Sequence, residues 1–349
     1  MCAAVVCEQV NLAPYTTVRL GGPARRFVEA TSVDEVVAVV TEADRTGEPV
    51  LILGGGSNLV VGDEGFPGTV VHMATRGVDV SSRDGRVLLR VQAGEDWDPL
   101  VAWCVSEGLV GVECLSGIPG LVGATPIQNV GAYGQEISGT VAAVRALDRR
   151  YGGLVDLGPE QCGFAYRTSA FKGSDRYVVL EVTFALDRDS ASRPVAYAEL
   201  ARALGVDVGE RVAPEDARAA VLELRRGKGM VIDPDDPDTR SAGSFFTNPL
   251  LSAEQAAELE RRVPGLPRYP ASDGLVKVPA AWLIERAGFT KGYTRGSVRI
   301  STKHSLALTN PDSAAAAELL ALAREVRDGV RETFGVDLAN EPVLLGASF

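Results

Sequence analysis

The segment 117-GIPGLVGATPIQNVGAYGQEI-137 sets five glycines and two prolines in an apolar frame. Proline removes a backbone donor and glycine weakens helix and strand alike, so this stretch cannot continue as either. The fold must therefore accommodate a long, rigid, irregular piece of main chain, able to lie along an extended ligand and offer it N–H groups. A loop packed for its own sake is the alternative, but loops of this length inside compact domains usually serve function.

A second glycine cluster, 54-GGGSN-58, follows the apolar run 49-PVLIL-53 and precedes 59-LVV-61, which predicts strand, turn and strand. The spacing is neither the dinucleotide G-x-G-x-x-G nor the phosphate loop ending in G-K-[ST]. Alone it reads either as a tight β-turn or as a cradle whose N–H groups, with Ser57 and Asn58, hold a pyrophosphate.

Around these loops the pattern is mixed. Ser32-x-x-Glu35 opens a helix that stops at Gly47, and strands are predicted through GTVVHM, RVLLRVQAGE, AAVRALDR and RYVVLEVTFAL, with a helix near 98–108. Helices return at 197–205 and 214–229. The acidic, proline-bearing 233-DPDDPDTR-240 marks a boundary. Beyond it the sequence predicts helices opened by Ser252-x-x-Gln255 and at 279–288, a strand through RISTKHSLALTN, a long helix ending near Gly335, and a last strand in 340-NEPVLLG-346 that returns to an earlier sheet. The fold class is α+β.

At 349 residues, with 46% apolar and 23% charged residues, the chain has material for more than one core and no sign of disorder. A net charge of −11 excludes nucleic acid or an anionic membrane as the main partner. The five cysteines, Cys2, Cys7, Cys104, Cys114 and Cys162, form no C-x-x-C pair and read as reduced thiols. The two histidines, His72 and His304, give little material for a metal site or a Ser-His dyad. The start MCAAVVCEQVNLAPY lacks a basic region and a long apolar core, and no run is long enough to span a bilayer, so a cytoplasmic protein is expected.

The stretch 240-RSAGSFFTNP-249 places Ser244 between a glycine and two phenylalanines; alone, it is most simply a turn serine satisfying the backbone. In combination the motifs say more. GGGSN with GIPGLVGATPIQNVGAYGQE resembles the FAD domain of the vanillyl-alcohol-oxidase (PCMH) type. With 166-YRTSAFK-172, 243-GSFFTNP-249, 280-AAWLIERAGFTKG-292 and Asn340-Glu341-Pro342, in that order from about Thr17 to the C-terminus, the chain resembles the UDP-N-acetylenolpyruvoylglucosamine reductase family.

That resemblance implies a two-part FAD-binding domain, 1–75 with the strand 336–349 and then 76–230, followed by an α+β substrate-binding domain at 231–335. It implies dissociable FAD, held by Gly54, Gly55, Gly56, Ser57, Asn58 and Leu59 and by Ile118, Gly120, Gly123, Ala124, Pro126, Gln128, Asn129, Gly131 and Ala132. NADPH is the implied reductant, UDP-N-acetylglucosamine enolpyruvate the substrate, and no metal is required. By the same resemblance Ser244 is the proton donor, Arg167 and Glu341 stabilise charge on the reacting group, and Tyr133, Tyr166, Tyr197, Lys228 and Asn248 bind substrate, with Tyr197 as a closing lid. Plainer readings are an exposed ion pair for Arg167, a solvated strand end for Glu341, packing for Tyr197 and a helix-end cation for Lys228. The sequence departs from the family at Thr247, where G-S-F-F-K-N-P has lysine, so that Lys228 or Lys277 must supply the charge. A monomer is expected. The rival readings are an FAD-dependent oxidase or dehydrogenase on the same scaffold, and a non-catalytic nucleotide-sugar binding protein.

Overall fold

A computed structural model describes residues 6–349; Cys2 and the first residues of the leader reading lie outside that range. The chain divides into two compact units, one of Met1–Val10, Ala24–Gly55 and Pro67–Val231, the other of Asn11–Pro23, Gly56–Phe66 and Ile232–Phe349.

In the first unit, the helix Val33–Thr46 begins where Ser32 accepts a hydrogen bond from Glu35 N–H and ends at Gly47, whose φ of +71° only glycine adopts without strain. It packs Val36 and Val40 into a core with Val71, Leu121, Leu147 and Leu180. The apolar run Val50–Leu53 is a strand parallel to Phe66–Met73, in a four-stranded sheet with Pro23–Ala30 and Val6–Asn11. A larger antiparallel sheet orders Gly153–Leu157, Val141–Asp148, Tyr177–Arg188, Arg86–Gln92 and Val78–Arg83. Tyr177–Arg188 is its central strand, and its alternating Val182, Phe184 and Leu186 meet Leu89, Val91 and the helix Trp97–Ser106 in one core. Val78–Arg83 escapes the sequence pattern because every residue in it is exposed; register pairing with Arg86–Gln92, not burial, makes it a strand.

The second unit is built on the nineteen-residue helix Ala316–Phe334, whose Leu319, Leu322, Val326 and Val330 sit on one buried face with Leu283, Ile284, Val298, Ile300, Phe245 and Phe246. No side chain at its own N-cap bonds the first turn; instead Asp63 accepts from Ala316 N–H at 2.7 Å and Ala317 N–H at 3.0 Å. The tail forms Val343–Leu345, parallel to Leu59–Val61, as its apolar pattern predicts.

The sequence predicts one strand through RISTKHSLALTN, and here the structure differs. Val298–Ile300 and Ala307–Thr309 are two strands of a hairpin in the sheet Ser241–Ser244, Ala307–Thr309, Val298–Ile300, Thr294–Arg295. Ser301 turns the chain: its hydroxyl accepts from Lys303 N–H and His304 N–H, while its own N–H donates to Ala307. His304 is thereby lifted out of the strand.

Candidate active site

The two glycine loops meet main chain to main chain. A Cβ at Gly55 would lie 2.8 Å from Gly120 Cα, closer than side-chain carbons approach backbone, so Gly55 must be glycine; Gly120, at φ +120°, is glycine for its backbone conformation. In the second unit Gly56 is under the same constraint: at φ +58° its Cβ would fall 2.1 Å from the carbonyl oxygen of Tyr15. Residues 117–134 are pinned along their length. Gly117 N–H donates to Asp98 at 2.6 Å, Val122 N–H to Glu95 and Gly123 N–H to Ala93, while Gly120 accepts from Trp97 N–H. No charged side chain occurs from Gly117 to Gly134, so a diphosphate lying there would be met by main-chain dipoles and hydroxyls. Glycine-rich main chain without charged side chains suits an extended dinucleotide such as FAD, and Ile118 and Ala132 pack on the neighbouring core.

Asn129 has a structural duty. Buried, with φ +46°, it donates its amide N–H groups to Glu136 at 2.9 Å and to the carbonyl of Ala165 at 3.2 Å, and accepts from Ser138 N–H. Its side chain therefore ties the glycine loop to the turn that carries Arg167. Ser169 strengthens the tie by donating to the Ile127 carbonyl at 2.6 Å.

Arg167 occupies that turn at φ +53°, a strained conformation for a side chain of this size. Its Nη2 donates to the Gly131 carbonyl at 2.8 Å, and its guanidinium lies 5.3 Å from the ring centre of half-exposed Tyr166. Backbone strain, a fixed fork and an aromatic rest are what orient a guanidinium for a planar anion.

Tyr133, Tyr197 and Lys228 also come together. Tyr133, at φ +48°, meets Tyr197 edge-on at 5.7 Å, and Lys228 Nζ lies 5.7 Å from the Tyr133 ring centre. Lys228 is bonded to Glu199 Oε2 at 2.7 Å, so it is a partnered cation and not merely a helix-end charge. Burial pushes the Tyr133 phenol up, against the opposing pull of Lys228 and Arg225. Arg225, which the sequence did not single out, donates Nη2 to the Met230 carbonyl while its buried Nε has no partner among the described residues. Its setting in an otherwise ordinary L-R-R run hides it from motif reading.

In the second unit the serine loop and the Asn340-Glu341-Pro342 tail are zipped together. Phe246 bridges Asn340, Glu341 N–H donates to the Phe245 carbonyl at 2.8 Å, and Thr247 N–H donates to Ala339. Asn58 joins them, accepting from Val343 N–H at 2.9 Å and donating to the Glu341 carbonyl at 3.5 Å. Ser244 ends its strand opposite Ala307, and Phe245 and Phe246, each 1% exposed, anchor the chain just after it. Asn248 spends its side-chain oxygen on Ala280 N–H, capping the helix Ala280–Arg286. Ser244 Oγ lies 3.5 Å from His304 Nε2. No motif in the sequence marks this histidine as functional; the polar interruption S-T-K-H-S inside an apolar run is the one sign of the turn that carries it.

Burial pushes the thiols of Cys104 and Cys114 up to about 12 and that of Cys162 to about 11, so these are inert packing groups. Among the described residues no group of His, Cys, Asp and Glu side chains could hold a metal ion, and no helix is long and apolar enough to cross a membrane.

Residues 235–345 match the family model described as UDP-N-acetylenolpyruvoylglucosamine reductase, C-terminal domain, and residues 24–158 match that of an FAD binding domain. Over 349 residues the chain is 59% identical to the UDP-N-acetylenolpyruvoylglucosamine reductase of Thermobifida fusca, covering 98% of both. It is 58% identical to the enzyme of that name from Streptomyces coelicolor, covering 97% of this chain and 89% of the relative. A crystal structure of UDP-N-acetylenolpyruvylglucosamine reductase from Thermus caldophilus superposes with a TM-score of 0.68 at 27% identity, covering 98% of this chain and 99% of the other.

Proposed function

The chain belongs to the UDP-N-acetylenolpyruvoylglucosamine reductase family, and from that premise we propose that it reduces the enolpyruvyl ether of UDP-N-acetylglucosamine enolpyruvate to UDP-N-acetylmuramate, a step in peptidoglycan precursor synthesis, with NADPH as reductant. FAD, when bound along the glycine loops, supplies the hydride to the β-carbon of the enolpyruvyl group. The remaining work falls to side chains. Hydride at the β-carbon drives an electron pair onto the α-carbon and its carboxylate, so the protein must hold that charge and then deliver a proton to carbon.

Ser244 is the proton donor in this reading. An alcohol is too weak an acid for most bases, yet a carbanionic carbon takes its proton. Arg167 meets the carboxylate with its fork, and Glu341 polarises the same group. Tyr133, Tyr166, Tyr197, Lys228 and Asn248 hold the uridine diphosphate sugar, with Lys228 exchanging Glu199 for a phosphate oxygen. The observation that supports the reading is the bonding of Glu341 N–H to the Phe245 carbonyl and of Asn58 to the Glu341 carbonyl and Val343 N–H, which ties the Asn58 and Glu341 motifs to the serine loop. With threonine in place of the family's lysine at Thr247, the phosphate charge falls to Lys228 or Lys277 in this reading.

The same proposal includes a monomeric, cytoplasmic protein and the division of the FAD part at residue 75. Its test is spectroscopic. The purified protein should be yellow; NADPH added anaerobically should bleach it, and the enolpyruvyl substrate should restore the colour with one equivalent of product. Reoxidation by oxygen alone, indifferent to that substrate, would favour an oxidase; a colourless protein that binds the nucleotide sugar would favour a binding protein.

A further inference from the structure

Beyond these roles, we infer that His304 is a positioning residue for the reduction, donating its Nε2–H to Ser244 Oγ so that the serine proton points at the substrate carbon, and then replacing that proton. The inference rests on the reading of Ser244 as proton donor.

A hydroxyl has one proton and two acceptor lone pairs. If Ser244 donates to a neighbour, its only proton is turned away from the substrate; if a neighbour donates to it, the proton is released for the carbon and the oxygen becomes a better leaving base. Ser244 Oγ and His304 Nε2 lie 3.5 Å apart, at the outer edge of a hydrogen bond, a separation that catalytic pairs commonly show before substrate closes the site. Both partners are held from the main chain. Ser244 is in register with Ala307, and Phe245 N–H donates to the Leu306 carbonyl at 2.7 Å. His304 is fixed at both of its backbone groups: its N–H donates to Ser301 Oγ at 3.2 Å and its carbonyl accepts from Ala307 N–H at 3.1 Å. The next residue, Ser305, is buried and donates to Glu285 Oε1 at 2.6 Å, which anchors the turn to the helix Ala280–Arg286.

The step balances without a further reagent. Hydride reaches the β-carbon, the double-bond pair moves to the α-carbon, and the α-carbon takes the Ser244 proton while the O–H pair stays on Oγ. Oγ takes the proton of His304 Nε2, whose N–H pair stays on nitrogen; water reprotonates that nitrogen, and the buffer neutralises the hydroxide left, supplying the one proton that the reduction consumes.

The test uses the FAD-loaded protein, reduced with NADPH and mixed anaerobically with the enolpyruvyl substrate, for wild type, His304→Ala, His304→Gln and Ser244→Ala. Retention of FAD and of its visible spectrum establishes folding for each. For His304→Ala, reoxidation by substrate should slow about 10²-fold, and imidazole in the buffer should restore at least about tenfold of it, as a missing proton donor allows. His304→Gln, which keeps an N–H donor but cannot give up a proton, should fall between, without imidazole rescue. Wild type should show a curved dependence of the rate on deuterium fraction, from two moving protons, and His304→Ala a linear one. A His304→Ala protein that reoxidises at the wild-type rate, or is slowed with no response to imidazole and an unchanged curve, overturns the assignment. If Ser244→Ala itself reoxidises at the wild-type rate, the reading beneath it fails instead, so the two failures are told apart.

Discussion

Replacing Gly55 with alanine should damage cofactor binding out of proportion to the single methyl added. The new Cβ would sit 2.8 Å from Gly120 Cα, whereas ordinary contact begins at 3.4 Å, and the positions of both atoms are fixed by backbone, with no side-chain rotation to relieve the clash. The loops must part by 0.6 Å or more to reach that distance. Main-chain N–H groups placed at about 2.9 Å from a phosphate oxygen would then stand near 3.5 Å, where a hydrogen bond is largely lost. Bonds to a charged acceptor are worth about 1.5–3 kcal/mol each, so losing one weak bond weakens FAD roughly tenfold, and one strong or two weak bonds roughly 10²-fold. The assay is titration of apoprotein with FAD, followed by quenching of flavin fluorescence. Gly153→Ala is the control: nothing lies within 4 Å of its Cβ, and its affinity should match wild type. An affinity for Gly55→Ala within threefold of that control would refute the idea that close approach of the two loops shapes the flavin site.

Two further perturbations test other parts of the account. Arg167→Ala should lower kcat on the order of 10²–10³-fold, as loss of one charge-stabilising donor does, and Arg167→Lys should recover little because an ammonium lacks the planar fork; unchanged turnover in steady-state assays removes Arg167 from the chemistry. Asp98→Asn probes the anchor of the glycine loop. Burial works to raise the Asp98 carboxyl, but hydrogen bonds from Arg218 and Gly117 N–H and the charges of Arg218 and Arg225 outweigh it and hold the group below the usual carboxylate value. A depressed folded value contributes stability above the ordinary carboxylate range and loses it as pH falls through the folded value. At pH 7 Asp98→Asn should therefore be less stable by about 1–2 kcal/mol in urea unfolding, with the gap closing below about pH 4; a gap that persists into acid contradicts the ionic origin.

Much of this architecture is legible in the sequence because local rules and packing agree. Ser32-x-x-Glu35 and Ser252-x-x-Gln255 both cap helices as their spacing predicts, and the glycine-interrupted run from Val50 to Val61 is strand, turn and strand. The tail strand at Val343–Leu345 is legible as a short apolar run just after Pro342. What escaped were features that hydrophobic periodicity does not register. Val78–Arg83 carries no apolar pattern and exists through pairing alone. The hairpin at Ser301 depends on a serine hydroxyl taking two main-chain donors, which a periodicity of two cannot distinguish from a continuous strand. The site was legible as motifs but not as contacts. That Lys228 is tied to Glu199, and that Asn129 spends its amide on the protein, follow only from the folded chain.

The most direct test of the central claim is the rate at which Ser244→Ala, fully reduced by NADPH, is reoxidised by the enolpyruvyl substrate. Bleaching by NADPH should proceed nearly as in wild type, while recovery of the oxidised spectrum should slow by at least ~10²-fold, the lower range for a missing general acid. Recovery at the wild-type rate, with product carrying its new α-proton as before, would contradict the assignment of that proton to the serine.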